Sequence, residues 1–247
     1  MPGRRAFLAL SAALAFGGQA FAAGTPVDLQ LVLAADVSRS IDSFEHQLQR
    51  EGYAAALTSP EVLRAIKGGA VGRIAVTYVE WSGANEAAVL VGWTVIGEAD
   101  SAGGFAERLI AAPRRFIGAT SISGAIDFSA RLFADSGYEA GRTVIDVSGD
   151  GANNSGRPSQ DARDDAVKAG ITINGLAIIN DRPSRAPWPE PPLDWFYTTN
   201  VIGGPGAFLV VVKGFETFAE SITKKLVREI AEAPAARHAQ TAQEKFE

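Results

Sequence analysis

An α/β architecture, doubly wound around a mostly parallel central sheet with helices on both faces, is predicted by three patterns in this 247-residue chain. Residues 29–35 and 74–79 are apolar without alternation, as strands buried on both faces of a parallel sheet require. Between such runs lie segments with one apolar stripe at helical spacing. Short polar sequences follow two of the strands directly, at the end where open α/β sheets gather ligands.

Taken in order, residues 29–35 form the first strand, and a helix beginning near Ile41 places Phe44, Leu48 and Ala55 on one face. Residues 74–79 form the second strand. Residues 88–96 read as an edge hairpin strand, because no helix-length segment separates them from the preceding strand. A short helix over 105–111 is stopped by Pro113. Gly118-Ala119-Thr120-Ser121 then opens a helix whose face carries Ile122, Ala125, Ile126, Ser129, Leu132 and Phe133. Residues 143–147 are a short strand, 159–169 a charged helix, 171–178 a buried strand and 207–212 the last strand. A final helix carries Phe215, Phe218, Ile222, Leu226 and Ile230 along one stripe. There is no internal repeat.

Residues 180–206 break this rhythm with Pro183, Pro187, Pro189, Pro191 and Pro192 beside Trp188 and Trp195. They read as a long loop. It serves either as a strap whose aromatics cover a sheet edge or as a surface for a partner. Residues 233–247 read as a disordered polar tail.

The first residues carry an export signal. Arg4 and Arg5 precede an uncharged run over 6–21, and Ala20-Phe21-Ala22 supplies the small residues of a cleavage site before Ala23. Residues 1–22 are thus a signal peptide and 23–232 a single domain, exported to the periplasm or secreted. The run is too short for a comfortable membrane span, no other stretch reaches about 18 uninterrupted apolar residues, and a retained N-terminal anchor is the alternative. Arg4-Arg5 also resembles a twin-arginine signal beside the general secretory route. The chain has a net charge of −5, and removing the signal's two arginines makes it more negative still. That balance argues against nucleic acid, whose phosphates need clustered Lys and Arg. With no cysteine at all, the exported domain has no disulfide and no thiolate site, so stability rests on its core.

Function is concentrated in Asp36-Val37-Ser38-Arg39-Ser40, directly after the first strand. One carboxylate and two hydroxyls are hard donors that suit a hard divalent cation and leave it short of negative charge. A cation so held can accept a carboxylate from a partner. The plainer reading of the same residues is a helix N-cap. Thr120 and Asp150, the latter in Ser148-Gly149-Asp150-Gly151, add an oxygen each from two further strand-end or loop segments.

The set Asp36, Ser38, Ser40, Thr120 and Asp150 resembles the metal-ion-dependent adhesion site of von Willebrand factor A domains, and the element order matches that fold over most of residues 27–230. Asp36-Val37-Ser38-Arg39-Ser40-Ile41, Val79-Glu80-Trp81-Ser82-Gly83 and the segment 144–154 resemble more closely an exported bacterial branch of the superfamily, itself a domain of unknown function. The resemblance implies strand order 3-2-1-4-5-6 with an antiparallel strand near one edge, which brings the ends of the first and fourth strands to one crevice. There the first helix directs its N-terminus at any bound anion. It also implies a divalent cation, magnesium first with manganese or calcium as alternatives, and a protein or peptide partner bearing a carboxylate. Asp146 departs from the pattern, since many of these domains carry an aliphatic residue there; it either supports the ligands from behind or faces a polar loop.

Catalysis is the competing class. The only histidines are His46, read as a helix-surface residue, and His238 in the tail, which argues against a Ser-His-Asp arrangement. No Gly-x-Ser-x-Gly elbow or phosphate loop is present. A magnesium-dependent phosphoryl hydrolase with Asp36 as nucleophile and Asp150 as ligand is the alternative, although no lysine stands beside the aspartates in sequence. A structural domain with an idle metal site is the third reading.

Overall fold

The computed structural model describes residues 24–179, 191–215 and 217–231. Its elements are β1 (Thr25–Val27), β2 (Gln30–Asp36), α1 (Ser43–Thr58), α2 (Pro60–Lys67), β3 (Ile74–Trp81), β4 (Ala87–Ile96), α3 (Ala99–Ala111), α4 (Ile122–Arg131), β5 (Tyr138–Ala140), β6 (Thr143–Gly149), α5 (Ser159–Lys168), β7 (Thr172–Ile179), α6 (Leu193–Asn200), β8 (Leu209–Lys213) and α7 (Phe218–Ala231). The main sheet has the order β4-β3-β2-β6-β7-β8. Counted from β2, that is the doubly wound order 3-2-1-4-5-6, and only the edge strand β4 runs antiparallel.

Every residue of β2 and β3 is buried, which is why their sequences show no alternation. Leu31, Leu33 and Ala35 of β2 pack on one side with Tyr53 of α1, Val62 of α2, Phe105 of α3 and Phe218 of α7. Val32 and Ala34 pack on the other with Ile122 of α4, Ala162 of α5 and Tyr197 of α6. Two helical layers therefore sandwich the sheet. Burial of each large apolar side chain stabilises by about 1.5–3 kcal/mol relative to exposure.

Some elements differ from the sequence reading. α1 starts at Ser43, because the Asp42 carboxylate accepts from the Phe44 and Glu45 amides while Glu45 reaches back to the Asp42 amide. α2 is additional; Ser59 caps it and Pro60 occupies its first turn. α3 begins at Ala99, six positions before the expected start, since Gly103 and Gly104 interrupt the apolar stripe without ending the helix. β1 and β5 form a separate two-stranded parallel sheet. The stretch expected as one long loop contains α6, on which Trp195 is exposed; Pro183, Pro187, Trp188 and Pro189 lie outside the described residues, as do the signal segment and the tail.

His46 corrects the surface reading. It is 8% exposed, and its Nε2 stands 2.8 Å from Glu80 Oε1. The helix turns that face inward, and the partner lies 34 residues away where local pattern does not reach. Asp146 is corrected too. It lies buried in the middle of β6, with Lys225 Nζ of α7 2.7 Å from its Oδ1. Neither supporting the crevice ligands nor facing a polar loop, it belongs to a buried ionic cluster.

Candidate metal centre

β2 ends at Asp36 between β3 and β6, in register with Trp81 on one side and with Ala35 opposite Ser148 on the other. The chain then turns sharply into α1. The Ser38 amide donates to Asp36 Oδ1 at 2.7 Å, and the Ile41 amide donates to the Ser38 carbonyl at 3.1 Å. Asp42 caps the helix directly afterwards, so the cap falls on a residue outside the Asp36, Ser38 and Ser40 set.

The five residues come together in space. Ser38 Oγ lies 3.1 Å from Ser40 Oγ, Thr120 Oγ1 donates to Ser38 Oγ at 3.3 Å, and Ser40 Oγ donates to Asp150 Oδ1 at 2.5 Å. Thr120 is held from two directions. Its amide donates to Asn154 Oδ1 at 2.9 Å and its carbonyl accepts from the Asn154 amide at 2.9 Å, while the Ser121 amide bonds the Ser82 carbonyl at 2.7 Å at the end of β3. Asp36, Ser38 and Thr120 are buried, whereas Ser40 is exposed, so the cluster opens on the Ser40 side.

Asp36 is the electrostatic focus. Burial, and next the charge of Asp150, push its carboxyl up to about 8. Its Oδ2 is buried with no hydrogen-bond partner. A buried carboxylate oxygen left unsatisfied is costly, and two carboxylates converging on neutral hydroxyls form a negative pocket of hard oxygens. These residues fit a hard divalent cation, which would hold Asp36 ionised and satisfy that oxygen. Among the described residues no three His, Asp or Glu side chains gather into a metal cluster, so a cation here depends on the hydroxyls.

Two supports escaped the sequence reading. Arg114 Nη2 donates to the carbonyls of Val37, Ser38 and Ile41 at 2.8, 3.3 and 2.8 Å, clamping the turn that carries the serines. The Arg39 amide adds a bond to the Gly118 carbonyl at 3.0 Å. Glu80 anchors the clamp from below: its Oε1 accepts from Arg50 Nε at 2.7 Å, and Arg50 donates onward to the carbonyls of Ala112 and Pro113. Glu80 stands within Val79-Glu80-Trp81-Ser82-Gly83. Arg114, which binds only backbone carbonyls, left no spacing to recognise.

Solved structures share this fold at low identity. Proximal thread matrix protein 1 from the mussel byssus aligns at 16% identity with a TM-score of 0.57, over 85% of this chain and 47% of its own. That protein is also known with a zinc-occupied MIDAS motif. A von Willebrand factor type A structure from Catenulispora acidiphila aligns at 13% identity with a TM-score of 0.57, over 83% of this chain and 43% of its own. The pilus adhesin SpaC from Lactobacillus rhamnosus GG aligns at 15% identity with a TM-score of 0.58, over 85% of this chain and 31% of its own. This chain thus spans less than half of each of those proteins, and the likeness is one of fold. No curated protein sequence matches it. The profile of the family described as "Protein of unknown function (DUF1194)" matches residues 26–234. The chain, with its von Willebrand factor A-like fold, therefore belongs to the DUF1194 family.

Proposed function

We propose that this protein is an exported binding module in which Asp36, Ser38, Ser40, Thr120 and Asp150 hold a divalent cation that engages a carboxylate on a protein or peptide partner. Magnesium is the first choice, with manganese or calcium as alternatives. The observation that carries the reading is the buried, unpartnered Asp36 Oδ2 beside a continuous chain of hydroxyls ending at Asp150. Bound there, the cation supplies positive charge that a partner's carboxylate can share. The protein side holds the ligands in place through the Arg114 clamp and leaves the Ser40 edge open to solvent. Neighbours described as an adhesin and as carrying an occupied MIDAS motif support the same class. No described helix is long and apolar enough to cross a membrane.

The hydrolase alternative draws less support. Arg114 interacts with the charge of Asp36, and its Nη2 is committed to three backbone carbonyls. His46 is held by Glu80 inside the first helical layer. The test is calorimetric titration of magnesium and manganese into the mature protein and into Asp36→Ala, followed by partner capture from cell-envelope extract with magnesium and with chelator. Metal binding by the wild type alone, together with chelator-sensitive capture, is expected. Equal capture in chelator or by folded Asp36→Ala would overturn the adhesion mechanism.

A further inference from the structure

Tyr197 lies on α6, within the proline-rich stretch, yet it is fully buried and its hydroxyl has no hydrogen-bond partner. Its surroundings are shaped around it. An ideal Cβ on Gly175 of β7 would stand 3.0 Å from Tyr197 Cδ1, and one on Gly149 of β6 would stand 2.8 Å from the Tyr197 hydroxyl. The same Gly149 position lies 2.9 Å from Asp36 Oδ2. The ring therefore crosses two neighbouring strands at positions without side chains and delivers its oxygen beside the unpartnered carboxylate oxygen of the candidate cation site.

Burying an unpaired phenol is unfavourable, and phenylalanine would fill the same slot without that cost. Two orphaned polar atoms on either side of one glycine are mutually suited, because a phenol donates at neutral pH and a carboxylate accepts. We infer that Tyr197 is a positioning residue of the cation site, its hydroxyl donating to Asp36 Oδ2 through one water and orienting that carboxylate for the ion. The inference rests on the metal reading above. It makes part of the proline-rich stretch a support of the site, a role distinct from covering a sheet edge. Val201 and Ile202 both donate backbone amides to the Tyr197 carbonyl at 3.0 Å, which fixes the end of α6 that bears the ring.

The experiment is magnesium and manganese titration of wild type, Tyr197→Phe, Gly149→Ala and Asp36→Ala, each paired with a metal-free thermal melt. Tyr197→Phe is expected to keep or raise the metal-free melting temperature while weakening metal affinity about 10- to 100-fold, the usual effect of losing a group that orients a ligand. Gly149→Ala should weaken binding too, since its methyl group would intrude on both oxygens. Wild-type affinity in folded Tyr197→Phe overturns the inference and leaves the metal site standing. If Tyr197→Phe does not fold, wild-type affinity in Gly149→Ala overturns it instead. Absence of binding by the wild type removes the metal reading and this inference together.

Discussion

Lys225 is 1% exposed, and its ammonium stands 2.7 Å from Asp146 and 3.0 Å from Glu229. Asn174 Nδ2 donates to the same Glu229 oxygen at 2.6 Å, while its Oδ1 accepts from the Phe208 amide at 3.0 Å. Two buried carboxylates thus share one cation. Lys225→Met would strand both, and a loss of about 3–5 kcal/mol in urea unfolding is expected. Asp146→Asn should cost much less, because Glu229 still pairs the ammonium. The pH response follows from Asp146, whose carboxyl is pushed up to about 7, first by burial, against the lowering influence of Lys225. Between its ordinary value of 3.8 and about 7 the folded chain holds a proton that the unfolded chain releases. The stability contributed by this group therefore falls as pH rises through that window and levels off above it. Unfolding midpoints from pH 4 to 8 should fall more steeply for wild type than for Asp146→Asn.

At the scale of the element, α1 links the fold to the site. Asp42→Ala removes the acceptor for two first-turn amides and should cost about 1 kcal/mol by thermal or chemical unfolding. Gly52 of α1 meets α7 closely, with Phe218 Cδ1 only 2.5 Å from where a Cβ would stand. Gly52→Ala must push that ring aside, and a destabilisation of about 1–3 kcal/mol is expected. Elements also set what could be read in advance. The buried strands declared themselves as unbroken apolar runs, and the serines, Thr120 and Asp150 stood in recognisable motifs. α2 was missed because only Val62 and Ile66 of its eight residues are buried, too short a stripe for periodicity to detect. α6 was hidden by the prolines before it. His46, Asp146 and Tyr197 take their meaning from partners on other elements, so no local pattern announced them.

Across the whole molecule, crossover connections bring Asp36 and Asp150, more than a hundred positions apart, to one end of the sheet. A ligand bound only by the folded chain stabilises by about 2.7 kcal/mol at a hundredfold excess over its dissociation constant. Magnesium at that excess should accordingly raise the melting temperature of wild type and leave that of Asp36→Ala unchanged.

The small β1–β5 sheet has a spatial consequence. It lies where β2 and β6 begin: Thr25 donates its amide to Gly137, and Gln30 to Arg142. Arg142 Nη1 also bonds the Glu229 carbonyl at 2.8 Å, so the last turn of α7 sits at that end as well. Asp36 stands six residues beyond Gln30, the start of β2, which sets the aspartate cluster about 20 Å further along at 3.3 Å per residue. Gly24 and Ala231, at the limits of the described residues, thus share one pole, with the oxygen cluster at the other. A handle fused before Gly24 or after Ala231 would hold the protein by its base and present the cluster outward, like a cup on a stem. With no native cysteine, Ala119→Cys offers the inverse attachment through an exposed position beside Thr120. Immobilised by a handle beside Gly24 or Ala231, the protein should capture its partner equally; held through Ala119→Cys, it should capture markedly less.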